Sequence, residues 1–212
     1  MDKDKQNDKQ QEQNVDEGAK VNMQGHLLIR DAETGEELVN KRNAIHFGNM
    51  AFVIANAMSY WQTENNGIYH MGFGNGGSDV LNTGAINYKT TNTGNIIDDS
   101  AGLYNKTFEK LIGQSATTDS KNNVSIERSS SSYTDLKITC TLDFGEPSSQ
   151  TTSDTATSDS STDYIFDELG IYAYNSGGIS NEYLLTHVIF HPVQKSLNRV
   201  IEIVYTIRVQ LQ

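Results

Sequence analysis

Cysteine is nearly missing from this chain. Cys140 stands alone, so no internal disulfide can form, which fits a protein made in a reducing compartment. Long hydrophobic runs are missing too. The N-terminus has no apolar signal-peptide core, and no stretch approaches the ~18 apolar residues of a membrane span. The expectation is a soluble protein that is not exported by a standard signal. Positive charge is scarce: 16 Lys and Arg against 27 Asp and Glu give a formal net charge of −11. That balance argues against nucleic acid and against anionic membrane surfaces as partners. Absent as well are G-x-S-x-G, P-loop, C-x-x-C and H-E-x-x-H, so no enzyme assembles from recognised motifs.

Hydrophobic residues make up only 36% of the 212 positions. A fold of this length buries about 70% of its unfolded surface and stands without metal or disulfide staples. What is present organises around residues 164–212, three strand-like runs joined by turns. In the last, Ile201, Ile203, Tyr205, Ile207, Val209 and Leu211 alternate with Glu202, Val204, Thr206, Arg208 and Gln210. Strand side chains point alternately to opposite faces, so this spacing predicts one apolar row on a core. Before it, Leu184 to Phe190 reads as a strand that Pro192 ends, because proline cannot donate to a ladder. The preceding turn is placed at Asn175–Gly178.

Upstream, residues 1–20 are almost wholly polar and charged, and are expected to be disordered. Residues 21–212 are expected to form a single domain. His26–Arg30 and Glu37–Val39 predict a hairpin turned by Asp31 and Gly35. A helix is expected from Ala44 to about Trp61, capped by Asn43. Phe47, Met50, Ala51, Ile54, Ala57, Met58 and Trp61 form its apolar stripe, which should cover part of the last strand's row. Gly48 inside it implies close packing. Residues 78–133 read as long polar loops with a few short strands, including Val124–Arg128, and a helical turn near Tyr104–Leu111. Leu136, Ile138, Cys140 and Leu142 predict a half-buried strand with Cys140 as a small core residue. Residues 145–163, rich in Ser, Thr and Asp, read as a flexible loop between two strands of that domain. The expected fold is mainly β: an antiparallel sandwich of about seven to nine strands with one packed helix and long polar loops.

Three groupings invite a chemical reading. Gly72-Phe73-Gly74-Asn75-Gly76-Gly77 spells G-x-G-x-x-G, with Asp98 and Asp99 about twenty residues on. Pyrophosphate binding needs a helix starting inside the motif, and none is predicted, so a tight turn is expected instead. His187 and His191 with Asp167 and Glu168 resemble a ligand set. On a strand, however, the two histidines lie ~13 Å apart, and the adjacent acids point to opposite faces. Asp98-Asp99 and the acidic run 154–163 lack calcium-loop spacing and read as solvated. No catalytic, cofactor-binding or metal residue is assigned.

Asn43-Ala44-Ile45 before an Ala-rich helix, Met71–Gly77, Phe166-Asp167-Glu168-Leu169-Gly170-Ile171-Tyr172, and Leu184–Lys195 follow one another in order. In that layout the chain resembles the tail-collar and fibre-attachment proteins of tailed bacteriophages. The resemblance covers roughly residues 25–212. It implies a non-enzymatic virion structural subunit of the tail, neck or baseplate, assembled in the host cytoplasm. Its implied partners are other virion proteins and further copies of itself. The chain ends at Gln212 directly after the attachment-like region, so an adaptor is expected rather than a receptor-binding fibre. A receptor- or glycan-binding sandwich module and a capsid decoration protein are the alternatives.

Overall fold

A computed structural model describes residues 20–58, 67–113, 119–128, 132–147, 164–174 and 182–211. Twelve strands and one helix occur among them: β1 (Val21–Asp31), β2 (Glu37–Arg42), β3 (Ala44–Ile45), α1 (Phe47–Met58), β4 (Ile68–Gly74), β5 (Ser78–Val80) and β6 (Ile86–Tyr88), then β7 (Lys106–Leu111), β8 (Asn123–Glu127), β9 (Thr134–Leu142), β10 (Tyr164–Tyr174), β11 (Glu182–Lys195) and β12 (Ile201–Leu211). Two five-stranded antiparallel sheets carry the fold, ordered β2-β1-β12-β9-β8 and β3-β11-β10-β4-β7; β5 and β6 pair separately. The architecture is the expected mainly-β sandwich, with more strands than the seven to nine anticipated. The extra ones are short, and β3, β5 and β6 carry too few residues to show a period.

The alternating rows behave as strand physics requires. Ile201, Ile203, Tyr205 and Ile207 of β12 are buried, as are Ile138, Cys140 and Leu142 of β9. They join Phe166, Leu169 and Ile171 of β10 and Phe73 of β4 in one apolar cluster drawn from both sheets. β12 is the middle strand of its sheet, pairing β1 from Val21↔Leu211 to Asp31↔Ile201 and β9 on its other side. Sealed in this cluster, the Cys140 thiol is pushed up to about 12 by burial. Native protein at pH 8 will therefore leave a disulfide reagent unreacted, and one equivalent will react once urea opens the core. Stoichiometric labelling of the native chain would contradict this placement.

The hairpin is as expected. Asp31 Oδ1 accepts from the Glu33 and Thr34 amides at 2.9 and 2.8 Å, and Gly35 takes φ +74°.

The helix differs from expectation. Ala44 and Ile45 pair with His187 and Thr186 of β11, so α1 starts at Phe47. Its N-terminal cap is His46, whose Nδ1 accepts from the Asn49 amide at 3.3 Å. Asn43 instead donates to the Tyr205 hydroxyl. Nor does α1 cover the β12 row. It packs on β11, where Asn49 Nδ2 donates to Leu184 O at 3.0 Å and Phe52 meets Tyr183 at 5.0 Å. The opposing sheet covers that row. The close packing expected at Gly48 is present: a Cβ there would lie 2.2 Å from the Ile96 backbone.

Two further expectations fail. Tyr104–Leu111 is not a helical turn; Lys106–Leu111 is β7, laddered onto β4 from His70↔Leu111 to Gly74↔Lys106. Nor does Pro192 end its strand. The β10–β11 register jumps from Phe166↔Val193 to Glu168↔Ile189, so Phe190, His191 and Pro192 bulge opposite Asp167 and the ladder resumes beyond them. A bulge is where a strand accommodates a residue without an N–H. The expected tail at 1–20 falls, but for Lys20, outside the described residues. So do most of the 145–163 loop, the Asn175–Gly178 turn, the acidic run 154–163 and the helix end at Trp61.

Candidate functional site

β10 is buried on both faces because a strap, residues 89–105, lies over the outer side of its sheet. The strap offers little apolar surface, chiefly Ala101 and Leu103 against Tyr172 and Leu184. Hydrogen bonds to buried polar side chains hold it instead. Asn49 grips the Asp98 backbone in both directions, donating to its carbonyl at 2.8 Å and accepting from its amide at 2.7 Å. The Tyr172 hydroxyl accepts from the Leu103 amide at 3.1 Å.

Glu168 is the centre of this arrangement. Its side chain is fully buried, a placement that a carboxylate tolerates only with its oxygens paired. Oε1 accepts from the Gly76 amide at 3.1 Å and the Asn105 amide at 2.8 Å. Oε2 accepts from the Tyr104 amide at 3.0 Å and lies 3.0 Å from His187 Nε2. The Asn92 amide reaches His187 Nδ1 at 2.7 Å. A backbone N–H can only donate, so Nδ1 is the bare nitrogen and Nε2–H donates to Glu168. Burial raises the Glu168 carboxyl, but the His187, Asn105 and Tyr104 hydrogen bonds outweigh it and hold the group below its ordinary range.

Asp167 lies opposite the bulge, where the ladder is interrupted, and strand alternation does not separate it from Glu168. Contrary to the opposite-faces expectation, both carboxylates reach the glycine turn. Asp167 Oδ1 accepts from the Gly77 amide at 2.9 Å, and Oδ2 from the Ser78 hydroxyl. Burial, outweighing these bonds, raises the Asp167 carboxyl above its usual value.

The G-x-G-x-x-G stretch is therefore a turn closed around the chain's own anions. The amides that would face a pyrophosphate face Glu168 and Asp167, and β5 follows where a cofactor site needs a helix. A Cβ at Gly74 would lie 2.5 Å from Glu168 Oε1 and 2.6 Å from Asn105 O. Gly74→Ala should cost about 1–3 kcal/mol through overpacking, read as a lower urea midpoint at unchanged slope. An unshifted midpoint would mean that the turn is not held against Glu168.

The remaining sequence candidates scatter. His187 is locked inside, whereas His191 is exposed with Nδ1 3.2 Å from the Tyr88 hydroxyl. They do not share a site. Asp98 turns back on Ser100 at 2.6 Å, while Asp99 lines a cavity with Lys106, Tyr172 and Glu182. Among the described residues, the one metal-compatible grouping is His70, Glu109 and Glu182, none of which was singled out from sequence. They come from three strands, so no spacing rule could have joined them.

A second feature is a surface. Phe47, Ala51, Ile54, Ala55 and Met58 lie exposed on α1, following the helical period. Ile96, 82% exposed, stands beside the start of α1, where Gly48 meets its backbone. A cavity of about 400 Å³, lined by Met23, Arg42, Asn43, Phe47 and Asn95, opens at the same end. The helix is thus apolar both on the side facing β11 and on the side facing away. Comparison with protein-family models, curated proteins and solved structures finds no match for the chain.

Proposed function

We propose that this protein is a non-enzymatic structural subunit of a tailed-bacteriophage virion, an adaptor of the tail, neck or baseplate that works through subunit–subunit contacts. The observation that carries the reading is the exposed apolar face of α1, Phe47–Ala51–Ile54–Ala55–Met58, with Ile96 beside it. A helix that buries one apolar face and presents another is built to be covered. The ordered motifs from Asn43-Ala44-Ile45 to Leu184–Lys195 support the phage part of the reading through their resemblance to tail-collar and fibre-attachment proteins. The buried Asp167–Glu168–His187 group fits the same reading, because its hydrogen bonds are spent on the chain's own backbone. The edge strand β8 adds a pairing surface, with Ile126 exposed on it.

Native mass spectrometry of the full chain, alone and mixed with tail, neck and baseplate proteins, tests the proposal. The expected result is a homo-oligomer or a defined complex that Ile54→Glu with Met58→Glu weakens while leaving the fold intact. A strict monomer that joins none of them would end the adaptor reading.

A further inference from the structure

His70 is 3% exposed, yet its Nε2 has no hydrogen-bond partner. The ring is held rigidly: it stacks on Tyr172 at 4.8 Å and 12° and meets Tyr69 edge-on at 6.0 Å. Two carboxylates face the bare nitrogen without bonding it, Glu182 at 3.4 Å and Glu109 at 3.8 Å. The three ligand atoms all lie within 4.8 Å of one another. They are brought together by three strands of one sheet: His70 on β4 sits opposite Leu111 of β7 on one side and Tyr172 of β10 on the other, and Glu182 of β11 sits opposite Tyr174 of β10. A cavity of about 240 Å³ opens alongside, lined by Asp99, Leu103, Lys106, Tyr172 and Glu182.

We propose that His70, Glu109 and Glu182 form a binding site for a divalent transition-metal ion of the Zn²⁺ type. One imidazole and two carboxylates are a borderline donor set that suits such ions. Tetrahedral zinc with bonds of about 2.0–2.2 Å places its ligand atoms roughly 3.4 Å apart, the separation already found between His70 and Glu182. Glu109 stands 3.8 Å from His70 and is 56% exposed at its side chain, so it can move toward both His70 and Glu182 to complete the set. Water from the cavity supplies the fourth ligand. Lys106 is the plug: its ammonium lies 2.9 Å from Glu109 and 3.3 Å from Glu182, on the same oxygens that face His70. It neutralises one of the two carboxylates and leaves the buried imidazole unsatisfied. At 34% exposure the lysine can swing into solvent, and a dication then balances both carboxylates and satisfies Nε2 in one step. The site does not depend on the virion reading.

Titration of the full chain with Zn²⁺ by calorimetry, and with Co²⁺ followed by visible absorption, tests this. The expected result is one equivalent bound with a tetrahedral Co²⁺ spectrum. Glu182→Gln and Glu109→Gln, which keep shape and fold, should each weaken Zn²⁺ at least about tenfold. Lys106→Gln should tighten it by about tenfold through removal of the competing cation. Absence of one-equivalent binding in both the wild type and Lys106→Gln would overturn the proposal. So would binding indifferent to both glutamate substitutions, which would place the ion elsewhere.

Discussion

Glu168→Ala will remove about 3–5 kcal/mol of stability, the cost of breaking a buried charged network from one side. Four donors lose their acceptor together: the amides of Gly76, Tyr104 and Asn105, and His187 Nε2–H. Each buried donor left unpaired costs about 1–3 kcal/mol, less where the strap relaxes and admits water. For a chain of this size the loss corresponds to a melting point lower by roughly 6–20 °C. Glu168→Gln will not rescue it, because one end of the amide is a donor facing donors. The decisive readout is local: amide exchange at Tyr104 and Asn105 will accelerate beyond the global change. A loss under about 1 kcal/mol with those amides still protected would show that the strap is held by something else.

Phe166→Ala will cost a similar 3–5 kcal/mol, by a different route. The fully buried ring meets Phe73 edge-on at 5.5 Å and Phe190 edge-on at 5.7 Å, and stacks with Tyr164 at 5.6 Å. Those partners stand on β4, β11 and on β10 itself, so the substitution empties the junction of three adjacent strands. Phe166→Leu keeps most of the volume and should lose about 1.5 kcal/mol or less. Here protection will fall through global unfolding, with no extra exchange at Tyr104 and Asn105. Equal costs for Ala and Leu would mean that the cavity does not set the loss.

Where a single face is buried, periodicity in the sequence reports the strand, as Ile201–Ile207 and Ile138–Leu142 do. Where both faces are buried the period disappears, as in β10, which is buried almost throughout although Asp167 and Glu168 interrupt its apolar residues. Tyr104, Phe108 and Leu111 lie at helical spacing, yet pairing with β4 makes Lys106–Leu111 a strand rather than the expected helical turn. Pro192 reads as a stop unless the bulge opposite Asp167 is known, and that bulge depends on the partner strand. The strap was illegible because its anchors are remote: Glu168 bonds Asn105 across 63 positions, and His187 bonds Asn92 across 95. The acidic pair and the glycine turn were both visible, but their meeting was not. His70, Glu109 and Glu182 meet through sheet order, which no spacing in the sequence reports.

The central place of β12 has a consequence for the order in which the molecule is made. β1 with β2, and β9 with β8, emerge earlier as two separate ribbons, each with an open edge where the missing strand belongs. Among the described residues, Ile201–Leu211 is the strand that joins them, through ladders on both of its sides. Until that segment leaves the ribosome the two ribbons hold facing unsatisfied edges, and closing them draws together Val21 and Leu211 from opposite ends of the described chain. During that interval, exposed edges favour pairing with the wrong chain, which makes the nascent chain the stage most open to misassembly.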